Sequence, residues 1–268
     1  MTYVKIVLND RKVILLLQSL ILALLLGVWQ LLGTRSANVY FYVGTPSAIA
    51  KQLWILLSRD DLMMNFAVTG GEALLGLLFG TIIGSIFGLS LWYSETLTRV
   101  LRPFVLAIGT LPIFAFAPLM IVWFGIGFWM KVAMATFSTV FVAFNQAHNG
   151  AVTVASVHVD TLRGMNAAKT EIFLKAIVPG SIDWVLGSMR LNVGFSLLGA
   201  FIGEFISAQE GLGYLILRAA GLYNIPRAFA AAIGIVVLAL LLDNGARFVE
   251  RRKNVLVQWI SVPRTLWK

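Results

Sequence analysis

Residues Ala73–Ser94 read ALLGLLFGTIIGSIFGLSLWYS, 22 positions without a charge and with Gly76, Gly80, Gly84 and Gly88 at every fourth place. About 20 apolar residues in a helix cross the hydrocarbon core of a bilayer. Inside hydrocarbon every backbone N–H and C=O must be satisfied within the segment, so an isolated run of this length is a helix. The four glycines share one face and let a second backbone approach closely, which is how helices associate where no hydrophobic effect holds them together. Another helix of the same chain and a second copy of the chain both fit that face; the spacing does not choose between them.

The rest of the chain extends the same reading. Of 268 residues, 59% are hydrophobic and 12% charged, with a mean hydropathy of +0.87. A soluble domain carries about 25% charged residues. There is too little polar surface here to cover a water-facing core, and too much apolar side chain for disorder. Spans are predicted at about 13–33, 67–94, 103–124, 130–150, 182–205 and 226–248, one transmembrane domain over 1–268. The first run exceeds the apolar stretch of about 7–15 residues in a secretory signal and has no small-x-small cleavage site, so it is read as a retained span. The expected protein is an all-α integral membrane protein of six transmembrane helices.

Six spans put both termini on one side. Fifteen Lys and Arg fall on that side, while Arg35, Lys51, Arg59, Lys131, Arg218 and Arg227 fall on the other. This bias places both termini in the cytoplasm. It also accounts for the net charge of +9, which in a soluble chain would point to nucleic acid; no nucleic-acid partner is expected. The absence of cysteine excludes disulfides, thiol catalysis and Cys-based metal sites. His148 and His158 stand alone, and no metal site is predicted. Phosphate-loop, H-E-x-x-H and G-x-S-x-G motifs are missing. The chain has no catalytic residues in sight, so any ATP hydrolysis must belong to another subunit.

Between the spans, three features carry information. Ile49, Leu53, Leu56 and Leu57 fall at helical spacing within 46–66, an amphipathic helix at the outer surface. The segment 208–224, which contains Gly211-Leu212-Gly213, is too short to cross and reads as a helix at the interface or dipping into the membrane. Glu204 just before it is expected at a bend of the outer leaflet, positioning this gate segment; buried there it needs a donor, either Arg218 or a backbone amide. Pro112 and Pro118 interrupt the third span. A proline leaves a carbonyl one turn back without its donor, so the helix borders a path or simply kinks for packing. Thr136, Ser138, Thr139, Asn192 and Ser196 offer hydrogen bonds along a path or between helices.

The connection 151–180 reads Asp160-Thr161-Leu162-Arg163-Gly164-Met165-Asn166, then Ala167–Ile177, then Val178-Pro179. This predicts a short helix, a turn set by Gly164 and Asn166, and a second helix with Lys169, Glu171 and Lys175 outward, ended by Pro179. Asp160 and Arg163 share a helix face. A compact helix projecting from a membrane bundle makes a docking knob.

This loop resembles the "EAA" loop of the permease subunits of bacterial ABC importers. Asp160 stands at the Glu position, Arg163 at a commonly basic one, Asn166 at the glycine and Pro179 at the proline, while Thr161, Leu162 and Asn166 depart from the consensus. Pro118-Leu119-Met120-Ile121-Val122-Trp123-Phe124-Gly125-Ile126-Gly127, and Gly203-Glu204-Phe205 leading to Gly211-Leu212-Gly213-Tyr214, are similar to the nitrate, taurine and alkanesulfonate branch. The likeness covers roughly Thr45–Val249; where relatives often place Arg near the start of the second span, this chain has Glu72. The resemblance implies a type I (MetI-like) permease fold in a bacterial inner membrane, a dimer of permeases, and a coupling helix made by Asp160–Asn166 and Pro179. It further implies a separate cytoplasmic ATPase holding ATP and Mg, a periplasmic or lipoprotein solute-binding protein, and no cofactor on this chain. Pro112, Pro118, Ser196, Glu204, Gly211 and Gly213 are the residues expected at the path or gate. A small oxyanion such as a sulfonate, taurine, nitrate or bicarbonate is the expected solute; a pyrimidine-type heterocycle is the alternative. A secondary transporter fits less well, because Glu72, Arg190 and Glu204 are the ionisable residues noted within the spans and all lie near span ends.

Overall fold

The computed structural model describes residues 11–59, 61–154, 156–207 and 209–252, and the regular structure among them is helical. Five helices are long and apolar enough to cross a membrane, or six when one bent pair counts as a span. The chain forms two compact units, one from the described residues up to Leu62 with Leu215–Ile233, the other from Met63–Tyr214 with the described residues from Gly234 onward.

In the first unit, α1 (Arg11–Arg35) is a single apolar helix whose Leu15, Leu20, Leu25 and Leu32 face outward, as lipid-facing side chains do. Its end is tied down by polar contacts. Trp29 Nε1 donates to the Gly44 carbonyl at 3.1 Å, and Gln30 exchanges two hydrogen bonds with Ser47 at 3.0 and 3.1 Å. Gly44 closes α2 (Ala37–Val43) at φ +69 with its Cα against the Pro226 ring, where a side chain would be strained. Thr45 then caps α3 (Pro46–Ser58), accepting from the Ala48 N–H at 3.3 Å, with Pro46 in the first turn, where no donor is missed. Ile49 and Leu56 are buried, but Leu57 is 42% exposed. The amphipathic helix predicted over 46–66 ends at Ser58, and from Asp61 the chain already belongs to the next helix.

The second unit is built around α7 (Phe128–Thr153), held between α4 (Asp61–Ser90) and α10 (Val178–Ser207). The glycine face of α4 finds its partner inside the chain. A Cβ on Gly76 would stand 2.2 Å from Ala135 Cβ, one on Gly80 1.7 Å from Thr139 Oγ1, and those on Gly84 and Gly88 2.3 Å from the carbonyls of Val140 and Phe144. On the other side of α7, Gly199 meets Ala135 and Gly203 meets the stem of Lys131. Small residues here replace side-chain interdigitation by backbone contact, maximising dispersion where lipid gives no hydrophobic gain. The Thr139 hydroxyl donates across this seam to the Gly76 carbonyl at 3.1 Å, and Asn192 Nδ2 to Thr81 Oγ1 at 3.3 Å. Arg190, midway in α10, pairs with Asp243 and Glu250 of α12 (Ile225–Arg251) at 3.5 and 3.7 Å.

One expectation about proline is met and one is corrected. The segment 103–124 is no continuous helix: α5 (Glu95–Gly109) stops, Pro112 caps the 3₁₀ turn Ile113–Phe116, and α6 (Ala117–Phe124) follows, with a bend of 92°. Pro112 lies at the break and Pro118 in the first turn of α6, two places where the missing N–H costs nothing. Pro179, in turn, does not end its helix. After α8 (Ser156–Gly164), α9 (Lys169–Ile172) runs through a π-turn at Phe173–Ile177 directly into α10, so Lys169–Ser207 is one helical run with an irregular turn near its start and Pro179 inside it. An α-helix would pair the residue-179 N–H with the Lys175 carbonyl; proline has none to give, so widening the turn just before it sacrifices little.

Candidate functional site

Two constellations sit at opposite ends of α4. At the Ser90 end lies the 151–180 loop. Here α8 closes in a Schellman motif: Asn166 N–H bonds to the Arg163 carbonyl at 2.9 Å and Ala167 N–H to the Leu162 carbonyl at 3.0 Å, with Asn166 in the left-handed region at φ 62. The apolar contact that accompanies this motif is present, because Leu162 and Ala167 both pack on the cluster of Ala151, Val159, Ile172 and Ile177. Asn166 does this work alone. Gly164 keeps an ordinary backbone and a side chain on it would meet open space, so the expectation that Gly164 helps set the turn is corrected.

Anchored by Val159 and Leu162, α8 turns its other face outward: Asp160, Thr161, Arg163, Gly164, Met165 and Asn166 are exposed. Asp160 and Arg163 lie 3.6 Å apart with side chains 65% exposed, a pair worth about 0–1 kcal/mol to folding. Thr161, Leu162, Met165 and Pro179 line one cleft of about 490 Å³ between α8 and the start of α10. Asp160–Asn166 thus form one short knob on α8 and its turn, while Pro179 lies across the cleft on α10.

At the Asp61 end, three successive N–H groups of the Gly211–Gly213 turn, which opens α11 (Leu212–Gly221), are taken up by side chains. Gly211 donates to Asn65 Oδ1 at 2.6 Å, Leu212 to Thr69 Oγ1 at 2.8 Å and Gly213 to Glu204 Oε2 at 2.6 Å. The Thr69 hydroxyl in turn donates to Glu204 Oε1 at 2.5 Å. A helix start leaves such donors unpaired and carries a positive dipole end, so a carboxylate is the fitting cap. Glu204 is fully buried. Both glycines are required by it: Gly211 sits at φ +113 with a built Cβ 2.1 Å from Glu204 Oε1, and a Cβ on Gly213 would be 2.8 Å from Oε2. Of the two donors expected for Glu204, the backbone amide is found; Thr69 is a second, unforeseen one.

One turn along α4, buried Glu72 Oε1 lies 2.5 Å from Lys131 Nζ, an ion pair by distance although the ammonium is poorly aimed at either oxygen. Lys131, counted among the outer-side charges, is buried near the start of α7. The pair lines a cavity of about 270 Å³ with Phe128, Gln209 and Glu210. Removing one buried partner strands the other charge, so Lys131→Met is expected to cost about 3–5 kcal/mol. Thermal melting of the detergent-extracted protein should show that loss, and Glu72→Gln combined with Lys131→Met should recover most of it.

Ser196 is fully buried and donates to the Val193 carbonyl of its own helix at 3.0 Å, while Ser138 Oγ and Asn192 Oδ1 are buried without a partner. Asn65 and Thr69 have no place in the sequence analysis, and Lys131 appears there only as an outer-side charge. For the first two the signal is their spacing with Glu72 at i, i+4 and i+7, a polar stripe on an otherwise apolar helix.

The family of the binding-protein-dependent transport system inner membrane component matches residues 76–255. The chain belongs to that family. The permease is 30% identical to a probable ABC transporter permease protein of Haemophilus influenzae, over 86% of this chain and 94% of that one. It is 27% identical to the formylaminopyrimidine transport permease protein ThiX of Halalkalibacterium halodurans, over 90% and 94% of the two chains. It is 24% identical to the taurine transport system permease protein TauC of Escherichia coli, over 86% of each. Among solved structures, the inward-facing MetNI methionine ABC transporter aligns with a TM-score of 0.66, covering 73% of this chain and 97% of that one at 17% identity, which establishes a MetI-like fold. The permease is therefore a membrane-embedded subunit of an ABC transport system, and its two polar constellations are the α8 knob and the latch that Glu204 makes with the Gly211–Gly213 turn.

Proposed function

We propose that the permease works as a pair in a bacterial inner membrane, termini in the cytoplasm, and imports a small organic solute handed over by a binding protein. ATP and Mg act on a separate cytoplasmic ATPase whose groove receives the α8 knob. The observation that carries this reading is the knob itself: an exposed short helix, held to the body by Val159 and Leu162 and aimed by the left-handed Asn166. A face that folding does not need, held in place by Val159 and Leu162, suits docking.

The solute is a nutrient heterocycle in the first reading, since the formylaminopyrimidine permease at 27% and a riboflavin permease of Chloroflexus aurantiacus at 29% identity exceed the taurine permease at 24%. A sulfonate is the second reading, favoured by the taurine likeness and by Lys131, which offsets the charge of Glu72 that would otherwise repel an anion.

Asp160→Arg reverses a charge at the knob, and Asn166→Val puts a β-branched residue where φ is positive. Asp160→Arg should extract and melt close to wild type, and Asn166→Val should extract folded with a loss of about 1–2 kcal/mol at the strained turn. Unpairing a desolvated charge in a docking groove costs about 2–5 kcal/mol, so Asp160→Arg should lose the ATPase on copurification, and Asn166→Val should lose it because the turn that aims α8 is misset. ATPase retention at wild-type levels in both variants would show the loop to be an ordinary solvated turn.

A further inference from the structure

We propose that the Leu91–Tyr93 turn at the end of α4 and the Lys169–Phe173 stretch form a mechanical joint carrying motion of the coupling loop into α4. Lys169 and Phe173 are then positioning residues for transport, distinct from the docking face of α8. The proposal rests on the importer reading above.

The joint is visible in its contacts. Lys169 Nζ donates to the Tyr93 carbonyl at 2.6 Å and sits 5.8 Å from the Trp92 ring centroid, within cation–π range. The Phe173 ring lies 4.7 Å from Tyr93 and 5.9 Å from Trp92. Leu89, Trp92, Leu162 and Phe173 all pack on one buried cluster of Ala151, Val159, Ile172 and Ile177. The end of α4, the docking helix α8 and the root of α10 therefore meet at a single point.

A displacement arriving there has two routes. Through α10 it must cross the π-turn Phe173–Ile177, a break in the regular i to i+4 ladder. Through α4 it enters an uninterrupted helix of about 45 Å, seated on α7 by Gly76–Gly88. The far end of that helix carries Asn65 and Thr69, which hold the N–H groups of Gly211 and Leu212. Joint and latch are thus the two ends of one stiff element, and α4 is the route by which the knob reaches the turn that opens α11. Such coupling needs a two-state element biased from both ends, and the latch supplies discrete bonds to make or break.

Lys169 is exposed, so its loss should leave folding nearly unchanged. The test reconstitutes wild type, Lys169→Met, Lys169→Arg and Phe173→Ala in liposomes with the ATPase and the binding protein. The probe is labelled formylaminopyrimidine, riboflavin or taurine, whichever the wild type accumulates. ATPase retention, ATP hydrolysed and solute taken up per ATP are measured together. For Lys169→Met the ATPase should stay bound and active while uptake per ATP falls about tenfold. Arginine, which keeps both the donor and the cation–π contact, should restore it. Phe173→Ala should fall in the same direction. Unchanged uptake per ATP in Lys169→Met overturns the joint, and so does loss of the ATPase from that variant, which would make Lys169 part of the docking knob. A wild type that takes up none of the probes with ATP present counts against the importer reading itself.

Discussion

Gly80→Leu should yield no folded permease. The site has no room: a Cβ alone would be 1.7 Å from Thr139 Oγ1, 2.8 Å from Thr139 Cβ and 2.9 Å from the Thr136 carbonyl. The hydroxyl could swing away, but then the seam loses its Thr139 bond to Gly76, and the Thr136 carbonyl is backbone that cannot move without α7. Overpacking of this kind costs about 1–3 kcal/mol where side chains can adjust and more where backbone must. Here the separation of two spans would have to grow along four glycines. Size-exclusion profiles after detergent extraction read the outcome directly. Ile83→Leu, on the outer face of the same helix, is the control and should elute as wild type. A monodisperse Gly80→Leu protein would mean that α4 and α7 do not meet along this face.

Glu204→Ala carries the second large effect. The carboxylate takes donors on both oxygens, Thr69 on Oε1 and Gly213 on Oε2. Alanine leaves both donors buried and unmatched at about 1–3 kcal/mol each. The turn at Gly211–Gly213 is then released while the α8 knob, at the other end of α4, is untouched. Uptake should fall at least about tenfold with the ATPase still bound, because docking and latch are separate. Glu204→Gln can still present one acceptor and one donor to this ring, but it gives up the charge-assisted bonds, which are about twice as strong as neutral ones. It should therefore fall between alanine and wild type. Equal uptake in all three would make the carboxylate incidental to transport.

What the sequence makes legible follows the range over which each signal acts. The membrane class, the all-helical character and the close approach at the glycine face depend on runs and spacings within one helix, and these are found as expected, whereas the bounds of the individual helices are not. The tight turn at Asn166 is equally local, and the αL residue lies within the predicted break. Partners are another matter. Gly76–Gly88 announce a close approach but not that α7 is what approaches. Lys131 looks like one more outer-side charge until α4 and α7 are brought together, because its partner Glu72 is 59 positions away. Glu204 advertises a need for donors, yet Thr69 stands 135 residues upstream. Proline misleads for a related reason. Its cost depends on whether its N–H would have been used, and that is decided by the π-turn before Pro179 and by the break at Pro112, neither of which the dipeptides Val178-Pro179 and Leu111-Pro112 reveal.

The central claim is that this chain moves its solute only when a separate ATPase drives it through the α8 knob. The direct measurement is uptake into liposomes holding the permease and its ATPase, with the loaded binding protein outside and ATP either present or replaced by a non-hydrolysable analogue inside. Accumulation against a gradient with ATP, and none with the analogue, is the predicted result. Accumulation that persists with the analogue, or that follows an imposed proton or sodium gradient, would contradict it.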